Sequence, residues 1–294
     1  MPEGPEVETV RRTLEPHLTG RGIRSVRVLL PRIIRRPDPE DFRAGLAGGR
    51  VHGVLRRGKY LVLDLGERGR LVVHLMMSGQ LVWAARPEAA AEHTRVVLGL
   101  DDGSELRMVD ARTLGGLWLL GPEEAGPRGL ERLGADPIAE GVDAALWRRR
   151  FAGRRAPIKA LLLDQAVVAG VGNIYADEAL FAARIHPATE AGRLGADPIE
   201  RLARAVEDVM REAVAHRGTT LRSYADGEGQ PGGHGPHLMV YGRTGQSCRL
   251  CGESIVKIKV AGRGTHLCSR CQPSPWQELP GAGAESRAPG AKRP

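Results

Sequence analysis

The chain has 294 residues, 41% of them hydrophobic and 27% charged, so its length suits about two domains and its composition excludes wholesale disorder. Lys and Arg outnumber Asp and Glu by 43 to 35, and the resulting net charge of +8 favours a polyanionic partner such as nucleic acid. The longest stretch free of these four residue types, 71–85, is too short and polar to span a bilayer, and the acidic start is unlike a signal peptide, so we expect a cytoplasmic protein.

The first predicted element is an amphipathic helix over residues 5–18. Val7, Val10, Leu14 and Leu18 recur at helical spacing, and Pro5 suits the first turn of a helix. One face of this helix should therefore be buried against the domain that follows.

Short alternating apolar runs follow from about residue 23 to residue 120. Turn signals such as Asp102-Gly103 and Gly115-Gly116 separate them. This texture predicts an antiparallel β-sandwich domain that, with the first helix, spans residues 2–133. The strands are expected at residues 60–65, 71–75, 95–100, 105–109 and 117–120.

The second half of the chain changes to helical periodicity after a linker rich in Gly, Pro and acidic residues at 121–143. The chain is thus an α+β multidomain protein, with a helical domain at 144–235, a β-rich segment carrying all four cysteines at 236–272, and a proline-rich, disordered tail at 273–294. Helices are expected at residues 144–151, 158–165, 174–183 and 198–216.

The four cysteines form two Cys-x2-Cys pairs, Cys248 with Cys251 and Cys268 with Cys271. This spacing is typical of a zinc ribbon in which four thiolates close a tetrahedral, structural site. Two disulfides are the alternative, but a cytoplasmic chain with only these four cysteines favours metal, and His266 is an alternative ligand. We predict one structural Zn²⁺.

The first residues carry a possible nucleophile. Removal of Met1 would leave Pro2 with a free secondary amine, and an α-amino group has a pKa of about 7.7–8.0, well below that of lysine. Such an amine can attack an electrophilic sugar carbon and form an iminium, and Glu3 beside it can carry protons.

Several segments, in chain order, resemble the formamidopyrimidine-DNA glycosylase / endonuclease VIII family and lie nearer its formamidopyrimidine branch. The resemblance covers residues 2 to about 272. Each matching segment is modest evidence alone, but together, in chain order, they are specific. The matching segments are Pro2–Thr9, Arg56–Leu61, His74–Gly79, Val171–Glu178 (the helix–two-turn–helix motif), Val240–Arg243 and Gly262–His266 with the four cysteines.

The resemblance implies a bifunctional DNA glycosylase and AP lyase of base excision repair that removes oxidised purines. Pro2 would attack C1′ of the damaged nucleoside and form a Schiff base. Glu3 would be the general acid/base, with Glu6 supporting it, and Lys59 would hold a phosphate near the lesion. Arg263 at the finger tip would bind phosphate and complete the catalytic set. β,δ-Elimination would then nick the strand. Lys59 can also be read as a solvated charge at the start of a strand.

The resemblance also implies a set of DNA-contacting residues and a double-stranded DNA partner that contains an oxidised base or abasic site. Met77 and Leu114 would fill the gap left by the flipped nucleotide, and Arg112 would contact the orphaned base. Taken alone, Met77 reads as a core methionine and Asn173 as an ordinary N-cap. The implied DNA-binding residues are Glu6, Met77, Arg112, Leu114, Lys159 and Asn173.

Two departures from the family pattern leave alternatives open. Leu114 stands where the formamidopyrimidine branch usually has an aromatic wedge, and the 231–236 loop has no aromatic residue. An endonuclease VIII-like glycosylase for oxidised pyrimidines and a non-catalytic DNA-binding paralogue are the alternatives. The Gly170-Val-Gly172 turn lacks a dinucleotide or phosphate-loop fingerprint, so we expect no nucleotide cofactor, and we expect a monomer.

Overall fold

The fold was obtained as a computed structural model, which describes residues 1–86 and 91–274. Apart from residues 273 and 274, the predicted disordered tail lies outside the described residues. Within those two ranges, no helix has both the length and the apolar character needed to cross a bilayer.

The chain begins with helix α1 (Gly4–Leu18), in close agreement with the prediction. Glu3 precedes it and forms a reciprocal capping box with Glu6, and a proline occupies the first turn. The predicted apolar face, including Val10 and Leu14, is fully buried. Burial of this face fixes the start of the chain against the following domain.

Two sheets pack around one apolar core that includes the buried face of α1. One sheet has the strand order β1-β7-β8-β6 and the other β2-β9-β5-β4-β3. Neighbours are antiparallel except for the short β2, which pairs parallel with β9. The strands are β1 (Ile23–Val28), β2 (Ile34–Arg36), β3 (Gly53–Arg57), β4 (Tyr60–Asp64), β5 (Arg70–His74), β6 (Gly79–Ala84), β7 (Thr94–Leu100), β8 (Glu105–Asp110) and β9 (Gly116–Leu120).

Some elements of this domain have no counterpart among the predicted ones: α2 (Pro39–Leu46) and the strands β1, β2, β3 and β6. Helix α2 has only two buried apolar residues, Phe42 and Leu46, which is too short a pattern to distinguish from a loop. Strand β1 is rich in arginine and largely exposed, so it reads as a charged surface segment.

The segment predicted as a linker is largely exposed but is anchored to the fold at one buried carboxylate. It contains the short helix α3 (Arg128–Glu131), and the Asp136 side chain is fully buried. The helical domain follows, and its core is a second cluster of buried apolar residues. Its helices are α4 (Ala144–Phe151), α5 (Ile158–Leu163), α6 (Asn173–Ala182) and α7 (Ala196–Ala215).

The cysteine-rich segment forms a hairpin of β10 (Ile255–Val260) and β11 (Arg263–Cys268). Residues Ala261 and Gly262 between the strands both have positive φ, as a tight two-residue hairpin turn requires. The Glu178 carboxylate on α6 accepts hydrogen bonds from three consecutive backbone amides at 239–241, at 2.7 to 2.9 Å. These bonds fix the entry of the chain into the hairpin.

Candidate active site

A cavity of about 600 Å³ lies between the sandwich and the helical domain. It is lined by Pro2 from the chain start, by Met77 and Arg112 from two loops of the sandwich, and by residues that follow α7. The fold thus brings together residues that the sequence had singled out at separate positions. The remaining lining residues are Met1, Ser78, Gly79, Ala111, Ile174, Thr219, Leu221, Arg222, Ser223, Tyr224 and Tyr241.

Glu3 lies buried beneath this cavity, at the N-terminal end of α6. Its carboxylate accepts hydrogen bonds from the backbone amides of Ile174 at 3.0 Å and Tyr175 at 3.4 Å. Burial raises the pKa of Glu3, although nearby Lys59 and the two amides act in the opposite direction. A Cβ on Gly172 would lie 2.5 Å from Glu3 Oε1, so only glycine leaves room for the carboxylate.

Glu6 is the second buried carboxylate and accepts hydrogen bonds from three groups. They are the amide of Glu3 at 2.8 Å, the amide of Thr219 at 2.7 Å and the hydroxyl of Tyr175. Burial, with the Glu3 charge second, raises the pKa of Glu6 to about 7. The placing of Glu6 among DNA-contacting residues is therefore wrong, because its side chain is 1% exposed and faces protein groups.

Lys59 lies in the tight turn between β3 and β4 and is 7% exposed, so it is not the solvated charge of the alternative reading. Burial lowers the pKa of the Lys59 ammonium, and the charge of Arg263 adds to this, whereas Glu3 and Glu6 oppose it. The electrostatic influence of Arg263 shows that the finger tip reaches the same neighbourhood, where Arg263 itself is exposed. The four charged groups form one cluster.

Two loops of the sandwich carry exposed apolar side chains, and one of these side chains, that of Met77, lines the cavity. Met77, between β5 and β6, is 45% exposed, and Leu114, between β8 and β9, is 39% exposed. Met77 is therefore not a core methionine. Because water is a poor environment for these side chains, their exposure on adjacent loops marks a contact surface.

A single buried carboxylate, Asp110, ties the two loops together. It accepts a hydrogen bond from the Ser78 hydroxyl at 2.6 Å and from the amides of Arg112 at 3.2 Å and Gly115 at 2.8 Å. Met76 and Thr113, one in each loop, have φ of 51° and 55°, a conformation that costs about 1 kcal/mol or more outside glycine. The hydrogen bonds to Asp110 stabilise this backbone.

Asn173 and Lys159 meet at one backbone carbonyl of the finger. Asn173 Nδ2 donates to Gly264 O at 3.0 Å, and Lys159 Nζ donates to the same oxygen at 3.2 Å. Asn173 is the first residue of α6 and not its N-cap, which is Gly172. Both side chains thus hold the hairpin residue next to Arg263.

The prediction that Lys159 binds DNA is corrected by the structure. Its side chain is 0% exposed, and its ammonium lies 2.6 Å from the Asp177 carboxylate and 2.8 Å from Thr265 Oγ1. An ammonium enclosed in this way has no free face for an external phosphate. The resemblance correctly predicts a basic residue at this position, but its partner is the internal carboxylate of Asp177.

The four cysteines converge at the base of the hairpin, and none of them forms a disulfide. Cys251 Sγ lies 3.4 Å from Cys268 Sγ and 3.5 Å from Cys271 Sγ, close to the separation of about 3.8 Å expected for thiolates around a tetrahedral zinc ion. His266 is not a ligand, because its Nδ1 lies 3.1 Å from Asp177. The donor set fits one zinc ion with no open position.

Sequence reasoning did not assign a role to Thr219, Tyr224 or Tyr241, which also line the cavity. The Tyr224 hydroxyl donates to the backbone carbonyl of Arg217, and its ring packs on the sandwich core. These residues come from irregular segments after α7, where no periodicity marks them. Tyr241 lies within Val240–Arg243, a segment that carries part of the family resemblance, but the resemblance gave its side chain no role.

Comparison with known proteins agrees with this arrangement. The formamidopyrimidine-DNA glycosylase N-terminal domain matches residues 1–117, the formamidopyrimidine-DNA glycosylase H2TH domain matches 133–225, and the zinc finger found in FPG and IleRS matches 245–273. The fold and the site therefore define a DNA glycosylase of the helix–two-turn–helix class that carries one structural zinc.

Similarity over nearly the whole chain makes the assignment narrower. The chain is 53% identical to the formamidopyrimidine-DNA glycosylase of Symbiobacterium thermophilum, over 94% of this chain and 90% of that one. It also superposes on Lactococcus lactis FPG mutant bound to DNA containing Fapy-dG, with a TM-score of 0.87, 36% identity, and coverage of 93% of this chain and 100% of that one. L. lactis Fpg bound to abasic-site DNA gives a TM-score of 0.86 at 37% identity, with 92% and 100% covered. The chain belongs to the formamidopyrimidine-DNA glycosylase family.

Proposed function

We propose that this protein excises oxidised purines from double-stranded DNA and then cleaves the strand at the resulting abasic site. The observation that carries the proposal is the cavity that joins Pro2 to the exposed Met77 and Arg112, directly above the buried Glu3. A nucleotide flipped into this cavity would meet an amine and a proton carrier, while the side chains at the rim fill the vacated stack.

The first chemical step is attack by the Pro2 amine, free once Met1 is removed, on C1′ of the damaged nucleoside. The new C–N bond replaces the glycosidic bond, and the base leaves with the bonding electrons and takes up a proton. The raised pKa of Glu3 keeps a proton on its carboxyl group closer to neutral pH, which suits a general acid. Its fixed position on the α6 amides orients it for this transfer.

The strand is cut after the sugar ring opens to the iminium. Removal of a C2′ proton expels the 3′ phosphate by β-elimination, and a further elimination expels the 5′ phosphate. Hydrolysis of the iminium then returns the free amine of Pro2. Each elimination needs a group that accepts a proton, and ionised Glu3 can serve in that role.

DNA binding is assigned to the positive and apolar groups around the cavity. Lys59 and Arg263 would bind phosphates beside the lesion, with Asn173 at the neighbouring edge, and Met77 and Leu114 would fill the gap. Arg112 would contact the orphaned base. Glu6 and Lys159 act as positioning residues, the former for Glu3 and the latter for the finger.

The functional division of the chain follows the packing. We assign residues 2–133 to the catalytic domain, 144–235 to the helix–two-turn–helix domain and 236–272 to the zinc finger. Three apolar clusters, each centred mainly in one of these segments, support the division, although Tyr224 belongs to the first cluster and Phe181 to the third. We also propose that the protein works in the cytoplasm on chromosomal DNA, since the relatives are bacterial.

The test is borohydride trapping on matched duplexes that carry 8-oxoguanine, an oxidised pyrimidine or an abasic site. Wild type should give a covalent adduct, most efficiently with the oxidised purine or the abasic site. Pro2→Gly should lose most of the adduct, and Glu3→Gln should lose excision of the base. Lys257→Gln, a charge change on the finger surface, is the matched control and should trap like wild type.

Preferential trapping on the oxidised pyrimidine would move the substrate to the other branch of the family. Tight, lesion-selective binding with neither adduct nor cleavage would instead identify a non-catalytic DNA-binding protein. Undiminished trapping by Pro2→Gly would show that the secondary amine of proline is not required, because the variant still carries a primary amine at the same position.

A further inference from the structure

A cluster of histidines lies at the end of α7, and it shares no residue with the four-cysteine site or with the lining of the catalytic cavity. His216 Nδ1 lies 3.1 Å from His234 Nδ1, and the His237 ring stacks on His216 with centroids 3.8 Å apart. Glu212, one helical turn before His216, points into the same group. The ligand atoms of Glu212, His216 and His234 all lie within 4.8 Å of one another.

The geometry suits a metal ion better than a packed core. Two imidazole nitrogens bound to one tetrahedral ion at the usual 2.0–2.1 Å would be about 3.3 Å apart, close to the separation seen here. Glu212 and His216 are four residues apart, a spacing that places both side chains on one face of a helix. His234 comes from the aromatic-free loop and is 3% exposed.

The surroundings of the three side chains agree with cation binding. A surface cavity of about 220 Å³ is lined by Glu212, His234 and His237. This opening gives an ion a route in and leaves room for a water ligand.

We propose that Glu212, His216 and His234 form a second metal site, selective for divalent transition ions of the zinc, cobalt and nickel type. Imidazole nitrogen and carboxylate oxygen are the donors that these ions accept readily. The site leaves at least one coordination position open to water, unlike the closed four-thiolate site.

The position of this site couples it to the catalytic cavity. His216 and His234 bracket residues 217–233, and the two ends are already held by Gly233 N to His216 O at 2.8 Å and His234 N to Gly218 O at 2.9 Å. The bracketed loop contains Thr219, which donates to Glu6. A metal ion would close this loop at its base and stabilise the turn that supports Glu6.

The experiment uses full-length, zinc-loaded protein without a histidine tag, titrated with Co²⁺ and followed by absorption and elemental analysis. Wild type should bind one Co²⁺ beyond its zinc, with visible d–d bands and no thiolate charge-transfer band. The His216→Ala/His234→Ala double variant should bind none. His52→Ala changes an exposed histidine of the sandwich and should bind cobalt like wild type.

A second variant protects the test from a folding failure. Glu212 is exposed on α7, so Glu212→Gln should keep the fold and its zinc yet bind Co²⁺ roughly tenfold more weakly or worse. Absence of extra cobalt in wild type, extra cobalt that survives in the double variant, or unchanged affinity in Glu212→Gln would each overturn the proposal.

Discussion

At the scale of single residues, the site depends on placing two carboxylates where water cannot reach them. Glu3 and Glu6 are 3% and 1% exposed, yet both accept several hydrogen bonds: two amides of α6 donate to Glu3, and two amides and a hydroxyl donate to Glu6. A buried carboxylate without such donors would cost several kcal/mol. The donors therefore stabilise the fold and partly offset the rise in the pKa of each carboxyl group that burial causes.

Gly172→Ala should disable the acid/base without removing it. A Cβ at this position would displace the Glu3 carboxyl group by about an ångström, and a misplacement of this size costs about 100-fold in rate. Single-turnover excision should fall by about that factor, while the affinity for lesion DNA changes less than about threefold. Gly53→Ala, where an added Cβ meets no atom within 4 Å, is the matched control. Normal excision by Gly172→Ala would contradict the assigned position of Glu3.

The raised pKa of Glu6 predicts a pH-dependent difference in stability between wild type and Glu6→Gln. A carboxyl group whose folded pKa is about 7, against 4.5 unfolded, favours folding at low pH and loses that contribution as the pH rises through about 7. From pH 5 to pH 8, wild type should lose roughly 2.5 kcal/mol of unfolding free energy relative to the variant. Denaturant titrations at both values measure it, and the variant controls for pH effects on the zinc site. A constant difference would show that Glu6 titrates normally.

At the scale of elements, a buried arginine connects the first helix, a hairpin and the segment predicted as a linker. Arg56 on β3 donates to Glu8 on α1 at 3.0 Å and forms a bidentate pair with Asp136 at 2.6 and 2.9 Å. Asp136 also accepts from the amide of Gly58, the residue before Lys59. The pair therefore sets the position of the turn that carries Lys59.

Asp136→Ala should be strongly destabilising, because it leaves the Arg56 guanidinium buried and short of acceptors. We expect a loss of about 3 kcal/mol in the free energy of unfolding. The neighbouring Arg57 pairs with Glu140, and both are well exposed, so Arg57→Ala should cost no more than about 1 kcal/mol. Chemical denaturation of the two variants side by side makes the comparison. Equal losses would mean that the segment is only loosely attached.

At the scale of the whole molecule, we expect the net charge of +8 to act on DNA through a few cationic side chains that the fold holds in position. The finger hairpin is fixed to α6 by Asp177, which accepts from the His266 amide at 2.8 Å and pairs with Lys159. This anchoring brings Arg263 close enough to Lys59 to influence its pKa. We therefore expect the two domains to present their cations to one stretch of the DNA backbone.

The salt dependence of DNA binding should report these cations individually. Log K for lesion DNA should fall linearly with log salt, and Arg263→Ala should reduce the magnitude of that slope by about one, since one phosphate contact is lost. Arg270 is exposed on the same finger, away from the hairpin tip, and Arg270→Ala should leave the slope unchanged. Fluorescence anisotropy over a salt series gives both slopes. Equal slopes for Arg263→Ala and wild type would remove Arg263 from the DNA interface.

The features that depend on residues close together along the chain can be predicted from the sequence. Helix α1, five strands of the sandwich, the four main helices and the zinc ligand spacing follow from local periodicity, capping and motif spacing, and each was predicted within a few residues. The family resemblance added the candidate residues of the site. Short or charged elements such as α2 and β1 are not predicted, because their apolar pattern covers too few residues.

The partners of the buried charged side chains depend on the tertiary structure and cannot be predicted from the sequence. The pairs are Lys159 with Asp177, Arg56 with Asp136, and Glu6 with Thr219. The spacing of these residues in the sequence does not predict the pairing. The histidines at 216 and 234 likewise meet only through the return of a loop. The physical reason is that a charge removed from water must find its partner in space, and the packing of distant elements alone determines which group is there.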